Sequence, residues 1–519
     1  MNKTYVSIDF GACNIKAAKK IANSINVQKI KLNKEQSGGV QIPNIICYRQ
    51  QVDGSGIYTI VGQNAKEAPD QENVVSMIKP KLALPSWSKV IPVHNKSLTA
   101  WDICQDTFEL IWSLIVGQSS TIEDYEVVLT VPVTFTERQK QKLLQVTNQV
   151  GIPVKNIITE PFAALLSQEE FLEKSNGEVV LTFDFGGSTL DLSLTRIFKE
   201  NNGELVITEL ATAGLDYGGS SIDQAIFEMF QNKKYVNEFK SLLQGPKVET
   251  HRKDLMNLIS FLKEDLYHDD EEATTSIYTI EGDVYEFELT RTDVSNLLTT
   301  SGIIDRITEL LDRLIEDAGE ANYGAIFDKS EITRVMPVGG TSQIKDFLEM
   351  LGEYFGEDVF DPSDFDPDDD IYMGVAIGAV RYGEIIDKNE QSVRISTCIP
   401  FSIGIENNGI FMPLIRRNES YGFITLFKSL DVFDLKVNGF RIPIYQSVTG
   451  DQVPLDQSDA VFMGDIILTK SLYNSHETIL YKMQMLMDGL HMSFYRYTND
   501  GINEFIEEQI ILTGGLNRA

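Results

Sequence analysis

Through roughly the first 385 residues, apolar runs of strand length alternate with stretches in which apolar residues recur at helical spacing. Val127-Val128-Leu129-Thr130-Val131 is one such run, and the segment from Glu137 to Val150 behind it carries a helical pattern. The alternation predicts an α/β fold. It is also duplicated. The octets Asp9-Phe10-Gly11-Ala12-Cys13-Asn14-Ile15-Lys16 and Asp184-Phe185-Gly186-Gly187-Ser188-Thr189-Leu190-Asp191 share the order Asp, Phe, Gly, small, small, polar, aliphatic, charged, each flanked by strand-like residues. A strand-turn-strand approaches a ligand from one side only, so two of them predict two similar lobes facing each other across a cleft.

Between Asp387 and Thr397 the pattern fades into Lys388-Asn389-Glu390-Gln391-Ser392, which reads as a linker. Beyond it, short alternating strands are expected at Phe401 to Ile405, Arg441 to Tyr445, Asp465 to Leu468, Met492 to Tyr497 and Ile506 to Leu512, with polar or glycine-containing turns. The expected organisation is therefore an α/β region over 1–386, a linker over 387–398 and an all-β module over 399–519.

Length and charge narrow the possibilities. A chain of 519 residues is too long for one core, which favours two or three domains. The excess of 76 Asp+Glu over 45 Lys+Arg gives a net charge of -31, which repels nucleic acid and anionic lipid and sets both aside as partners. Met1-Asn2-Lys3 runs straight into Tyr5-Val6-Ser7-Ile8, so no secretion signal is expected. Apolar stretches such as Phe108 to Val116 fall well short of the ~20 residues of a membrane helix. Cys13, Cys47, Cys104 and Cys398 lie far apart, which indicates neither a zinc site nor a disulfide framework and fits a reducing cytoplasm.

The candidate chemistry sits in the turns. A glycine-rich turn after a strand brings backbone N–H groups close to an anion, so Gly11-Ala12-Cys13-Asn14 and Gly186-Gly187-Ser188-Thr189 are expected to cradle phosphates. Asp9 and Asp184 would hold magnesium through its retained waters. Two further turns join the set: Gly214 to Ser220, with Gly218 and Gly219, and Val338-Gly339-Gly340-Thr341, which is expected to open a helix whose N-terminus faces the anion. No P-loop and no dinucleotide fingerprint occurs, and the Asp-Phe-Gly triplets have no suitably spaced His-Arg-Asp partner of a protein kinase. The acidic stretch Asp364 to Asp370 lacks the glycine and glutamate of a calcium loop and reads as a helix N-terminus.

The order of these pieces, with Thr130 to Phe135, Thr159 to Ala164, Pro400 to Glu406, Leu414 to Asn418 and Gly464 to Thr469, resembles the DnaK-type heat-shock chaperones over nearly the whole chain. The resemblance implies a two-lobed actin-like ATPase domain followed by a β-sandwich that binds extended or unfolded polypeptide. It implies ATP/ADP and Mg2+ as cofactors, and a J-domain co-chaperone and a nucleotide exchange factor as partners. By position it implies Lys79 as the catalytic lysine, Glu160 and Asp191 as acids that orient or deprotonate the water, and Lys263 and Asp368 as nucleoside contacts. Pro132 matches a proline that relays nucleotide state.

The chain also departs from that family. Ala12-Cys13 stands where two threonines are usual, Ser188 replaces a glycine, and Glu264 and Gln343 stand where two arginines stack on adenine. Losing both guanidinium planes is expected to weaken base binding by about 1–2 kcal/mol. The family's apolar linker appears as Val393-Arg394-Ile395-Ser396-Thr397, and its helical lid has no counterpart, which implies fast peptide release. The leading expectation is an ATP-driven chaperone-like protein, and its alternative is a slowly or non-hydrolysing switch that recognises one dedicated protein. An actin-like polymer and a sugar kinase are disfavoured by the β module.

Overall fold

The first apolar run becomes strand β1 (Lys3–Phe10), buried along nearly its whole length, and the chain reverses through Gly11 into β2 (Asn14–Ile21). These coordinates belong to a computed structural model. It describes residues 3–22, 24, 26–32, 40–84, 86–117, 124–245, 247–268, 272–280, 283–321, 327–364, 369–388, 392–421, 425, 428–430, 440–447, 452–457, 459–468, 479–486, 489–497 and 503–512. β1 runs antiparallel to β2 and parallel to β3 (Asp124–Val131), which runs parallel to β4 (Val154–Thr159). Parallel pairs need crossovers. Helix α1 (Ala100–Val116) and helix α2 (Glu137–Val150) supply them, burying Phe108, Ile111, Leu143 and Val146 against this sheet. The ends of α2 are set by local chemistry. Thr136 and Gln139 cap each other's backbone N–H groups at its start, and Gly151 stops it at φ 84°.

The second lobe repeats the plan. Strands β5 (Glu178–Phe185), β6 (Leu190–Lys199), β7 (Leu205–Leu215) and β8 (Arg334–Val338) are ordered β8-β5-β6-β7, with β5 antiparallel to β6 and parallel to β8. The two octets thus sit at equivalent hairpins: β1 lies between β2 and β3 as β5 lies between β6 and β8. Helix α3 (Glu160–Leu166) packs on both sheets. Three helices, α4 (Gly219–Met229), α5 (Val248–His268) and α6 (Ile303–Ala321), cover the outer face of the second lobe, whose core gathers Phe183, Phe185, Phe227, Phe230, Phe287 and Phe347. Helix α7 (Lys345–Phe355) follows β8. Helix α8 (Asp369–Lys388) crosses back against β1 and α3, so that Val128, Phe162, Val180, Val338 and Ala379 form one core shared by the lobes. The crossing is tight. A Cβ at Gly378 would stand 1.7 Å from the Ala163 carbonyl oxygen. No helix among the described residues is long and apolar enough to cross a membrane.

The segment expected as a linker begins inside α8 and contains a strand, β9 (Val393–Ser396), paired parallel to β7 as the outermost strand of the second sheet. It is tied to the lobe by a ladder. Beyond it lie two four-stranded sheets. One has the order β11-β10-β13-β14, from β10 (Ser402–Asn407), β11 (Ile410–Ile415), β13 (Phe440–Ser447) and β14 (Val461–Leu468). The other has the order β12-β15-β16-β17, from β12 (Lys428–Leu430), β15 (Ile479–Leu486), β16 (Gly489–Tyr497) and β17 (Asn503–Leu512). Alternate residues point inward. Ile403, Ile444 and Ile466 from one sheet meet Met483, Met485, Met492 and Phe494 from the other.

This β module rests on both lobes. The Glu137 N–H at the start of α2 donates to the Gln446 amide oxygen at 3.0 Å, and the Lys140 ammonium lies 5.4 Å over the Phe401 ring. On the other lobe, Arg417 pairs with Asp317 of α6, and Thr212 N–H donates to Asn418 at 3.0 Å. Glu209 of β7, buried, accepts from the Cys398 N–H at 3.1 Å and from the Ser193 hydroxyl at 2.9 Å.

Candidate active site

The two hairpin turns, the chain after β8 and the start of α4 converge on a cleft between the lobes that encloses about 490 Å³, a size that suits a nucleotide-sized ligand. Asp9, Gly11, Ala12, Cys13, Asn14, Lys79, Glu160, Asp184, Gly186, Gly187, Ser188, Thr189, Gly219, Lys263, Gly339, Gly340 and Thr341 all line it. Two expected residues do not. Gly218 packs underneath, where a Cβ would come within 2.5 Å of the Ser188 N atom. Asp191, across the ladder from Asp184, is buried and accepts from the Val133 N–H at 2.7 Å. Asp368 lies outside the described residues, and α8 begins immediately after it at Asp369.

The turns are interlocked by their backbones. Gly186 N–H donates to Thr189 O at 3.0 Å, Gly219 N–H donates to Gly186 O at 3.1 Å, and the Thr341 hydroxyl reaches the same Gly186 carbonyl at 2.8 Å. Gly339, at φ 83°, lies so near Phe185 that a Cβ would be 2.5 Å from its carbonyl oxygen. Val338-Gly339-Gly340-Thr341 leads from β8 into a helical stretch. A 3-10 turn, Gly340–Gln343, comes first and α7 starts at Lys345. Within that turn the Thr341 hydroxyl ties the loop to Gly186.

Lys79 sits on a short helix, Ile78–Lys81, entered through Met77 in the left-handed region at φ 53°. A non-glycine residue in that region carries backbone strain. Lys79 is buried and pairs with Glu160, the first residue of α3. Burial opposes its charge, but the Glu160 and Asp9 carboxylates outweigh that and raise its pKa. Glu160 is raised by burial, with Lys79 pulling the other way.

Asp184 is raised well above the carboxylate range, by burial first and then by Glu160 and Asp191. Asp191 is pushed up to about 7, by burial and by Glu160, against the Thr189 hydroxyl and the Val133 N–H. A cluster of acids perturbed in this way in a cleft is a site in want of positive charge. The Asp184 carboxylate faces the cleft and takes no hydrogen bond from the described residues, which suits a hydrated Mg2+. Among the described residues no three His, Cys, Asp or Glu side chains come close enough to ligate an ion directly, so its remaining ligands would be water and phosphate oxygens.

Sequence reasoning missed Lys16 and Thr130. The Thr130 hydroxyl donates to Asp9 Oδ1 at 3.0 Å, and Lys16 Nζ lies 3.3 Å from Asp9 Oδ2. The signal was present in the shared charged position that ends each octet. At the far end of the cleft, Lys263 is spoken for, with Nζ 2.7 Å from Asp223 and donating to Gly219 O at 2.9 Å. Gln343 donates to the Tyr372 hydroxyl at 2.7 Å, and Phe261, Glu264 and Tyr267 complete this end.

The family model described as Hsp70 protein matches residues 117–452, well over half the chain. The chain belongs to the Hsp70 family. Two proteins named chaperone protein DnaK, from two strains of Burkholderia cenocepacia, are 25% and 26% identical to it over 445 and 446 residues, covering 80% of this chain. The alignments span 63% of the length of each relative. The match to the family model begins after the Asp9 turn and Lys79, and takes in Glu160, the Asp184 turn and β9.

Proposed function

We propose that this Hsp70-family protein binds and hydrolyses ATP with Mg2+ in the interlobe cleft and uses the cycle to control how its β module holds extended polypeptide. The observation that carries this reading is the convergence on the cleft of both turns, the Lys79–Glu160 pair and Asp184, which takes no hydrogen bond from the described residues. Backbone N–H groups of the turns receive the phosphates. Magnesium, when bound, supplies charge neutralisation at the phosphate oxygens. Lys79 is fixed in advance by Glu160 and stabilises charge developing on the γ-phosphate, an effect on the order of 10²-fold or more in rate. Glu160 is the acid that orients the attacking water, because it lines the cleft. Asp191, which does not line the cleft, instead ties the second turn to Val133, and so to the segment that leads through Thr136 into α2 and Gln446 of the β module. That chain of contacts is the route by which lobe closure biases the module. A J-domain protein and an exchange factor belong to this reading as partners.

The Lys79–Glu160 pair also favours a second reading, a switch that closes on nucleotide but hydrolyses slowly, because two groups meant for phosphate and water occupy each other. ATP turnover of the full chain, with and without an unfolded polypeptide and with a Lys79→Ala control, separates them. Turnover stimulated by the polypeptide and lost in Lys79→Ala supports the chaperone cycle. Nucleotide binding without turnover supports the switch.

A further inference from the structure

The duplicated hairpins place the last residue of each octet directly across the ladder from the first. In the second lobe Asp191 stands opposite Asp184, and in the first lobe Lys16 stands opposite Asp9. Residues opposite each other on neighbouring strands interact strongly through their side chains. The second lobe therefore sets acid against acid, and the first sets an ammonium against an acid. Strand alternation sends Ile15 into the core and leaves Lys16 on the cleft side, where it lines the same cavity as Lys79 and Asp184. Its side chain retains 18% exposure, all that a group facing a ligand needs.

The charges at this end then divide as follows. Lys79 is matched to Glu160, and Lys16 to Asp9, whose other oxygen is held by Thr130. Asp184 is the carboxylate left for a metal ion. A polyphosphate arriving here meets an ammonium already beside the first turn, so one of the two carboxylates expected to share the magnesium shell is neutralised without it. Resting on the nucleotide reading above, we propose that Lys16 is a built-in cation of the phosphate pocket. It neutralises Asp9 and contacts the terminal phosphates, so that nucleotide binding depends only weakly on a divalent cation. Lysine is suited to this role as a compact charge on a flexible stem.

Titration calorimetry of ADP and ATP with the full chain, in Mg2+ and in EDTA, tests this. The quantity read is the ratio of the two dissociation constants. Wild type is expected to weaken less than about tenfold on metal removal, and Lys16→Gln to raise that ratio between about tenfold and about a hundredfold, the worth of one charge-assisted bond. Lys16→Arg is expected to restore the wild-type ratio, which a purely structural lysine would not require. Asp9→Asn supplies a second arm: it frees Lys16 and should tighten binding in EDTA. A ratio for Lys16→Gln within about twofold of wild type, or weaker binding by Asp9→Asn in EDTA, overturns the proposal and leaves the nucleotide reading standing. Wild type binding no nucleotide in either buffer overturns both.

Discussion

At the residue scale, the cleft is built from contacts too close for ordinary side chains. Gly187 is the sharpest case, because a Cβ there would lie 2.3 Å from Cys13 Sγ and 3.3 Å from Cys13 Cβ. The two turns touch where glycine meets cysteine across the lobes. Gly187→Ala is therefore expected to wedge the turns apart and weaken nucleotide binding by roughly tenfold or more, a loss of about 1–3 kcal/mol for overpacking. Adding Cys13→Ala removes the sulfur and leaves only the milder Cβ contact, so the double variant should recover most of the affinity in the same calorimetric measurement. Failure of the double variant to recover would mean that Gly187 matters for its backbone alone. The octets themselves were legible in the sequence, since an Asp-Phe-Gly turn between apolar strands is a local pattern. Lys16 was marked only by the shared charged position that ends each octet, and what Thr130 and Cys13 touch was not legible, because contacts with distant strands and between lobes leave no mark in local spacing.

At the scale of elements, legibility followed the chemistry that ends each one. The helix from Glu137 to Val150 could be bounded from its reciprocal cap and terminal glycine. Strand β11 escaped notice because Pro413 interrupts it, which an edge strand tolerates. Strand β15 escaped because its inward positions are methionines. Strand β9 looked too polar for a strand. It is an edge strand as well, and it holds its place through its ladder with β7 and through Glu209, which anchors the residues just beyond it. Burial pushes Glu209 up to about 6 from an ordinary 4.5. The folded protein thus holds that proton more tightly than the unfolded chain does, and stability falls as pH rises between those two values. Glu209→Gln keeps an acceptor for Cys398 and a partner for Ser193 without the charge. Its melting temperature should exceed that of wild type at about pH 8, by an amount corresponding to about 2 kcal/mol, and the two curves should converge only below the unfolded-state value, at about pH 4. A variant less stable than wild type at the higher pH would show that the Glu209 charge itself is needed.

For the whole molecule, the decisive arrangement is that the β module contacts both lobes at once, through Gln446 on the first and through Arg417 and Asn418 on the second. A body held at two points on opposite sides of a cleft responds to the angle between them. On the proposed reading, closing the cleft changes how the module sits, and release of the module changes the cleft's affinity by the same factor. None of these partners is near the other in sequence, which is why docking could not be read from the chain. Asp317→Ala takes a carboxylate from Arg417, whose side chain is only 10% exposed. Losing one partner of a shielded pair costs about 3 kcal/mol, which shifts the ratio of docked to released molecules on the order of a hundredfold. Small-angle scattering should record this as a larger radius of gyration, and hydrogen exchange at Val393–Ser396 should quicken with it. If the two-point contact is the coupling, the same variant also binds ATP with a changed dissociation constant, although Asp317 lies on α6 and lines no part of the cleft. An expanded molecule with unchanged ATP affinity would mean that the module docks without sensing the cleft.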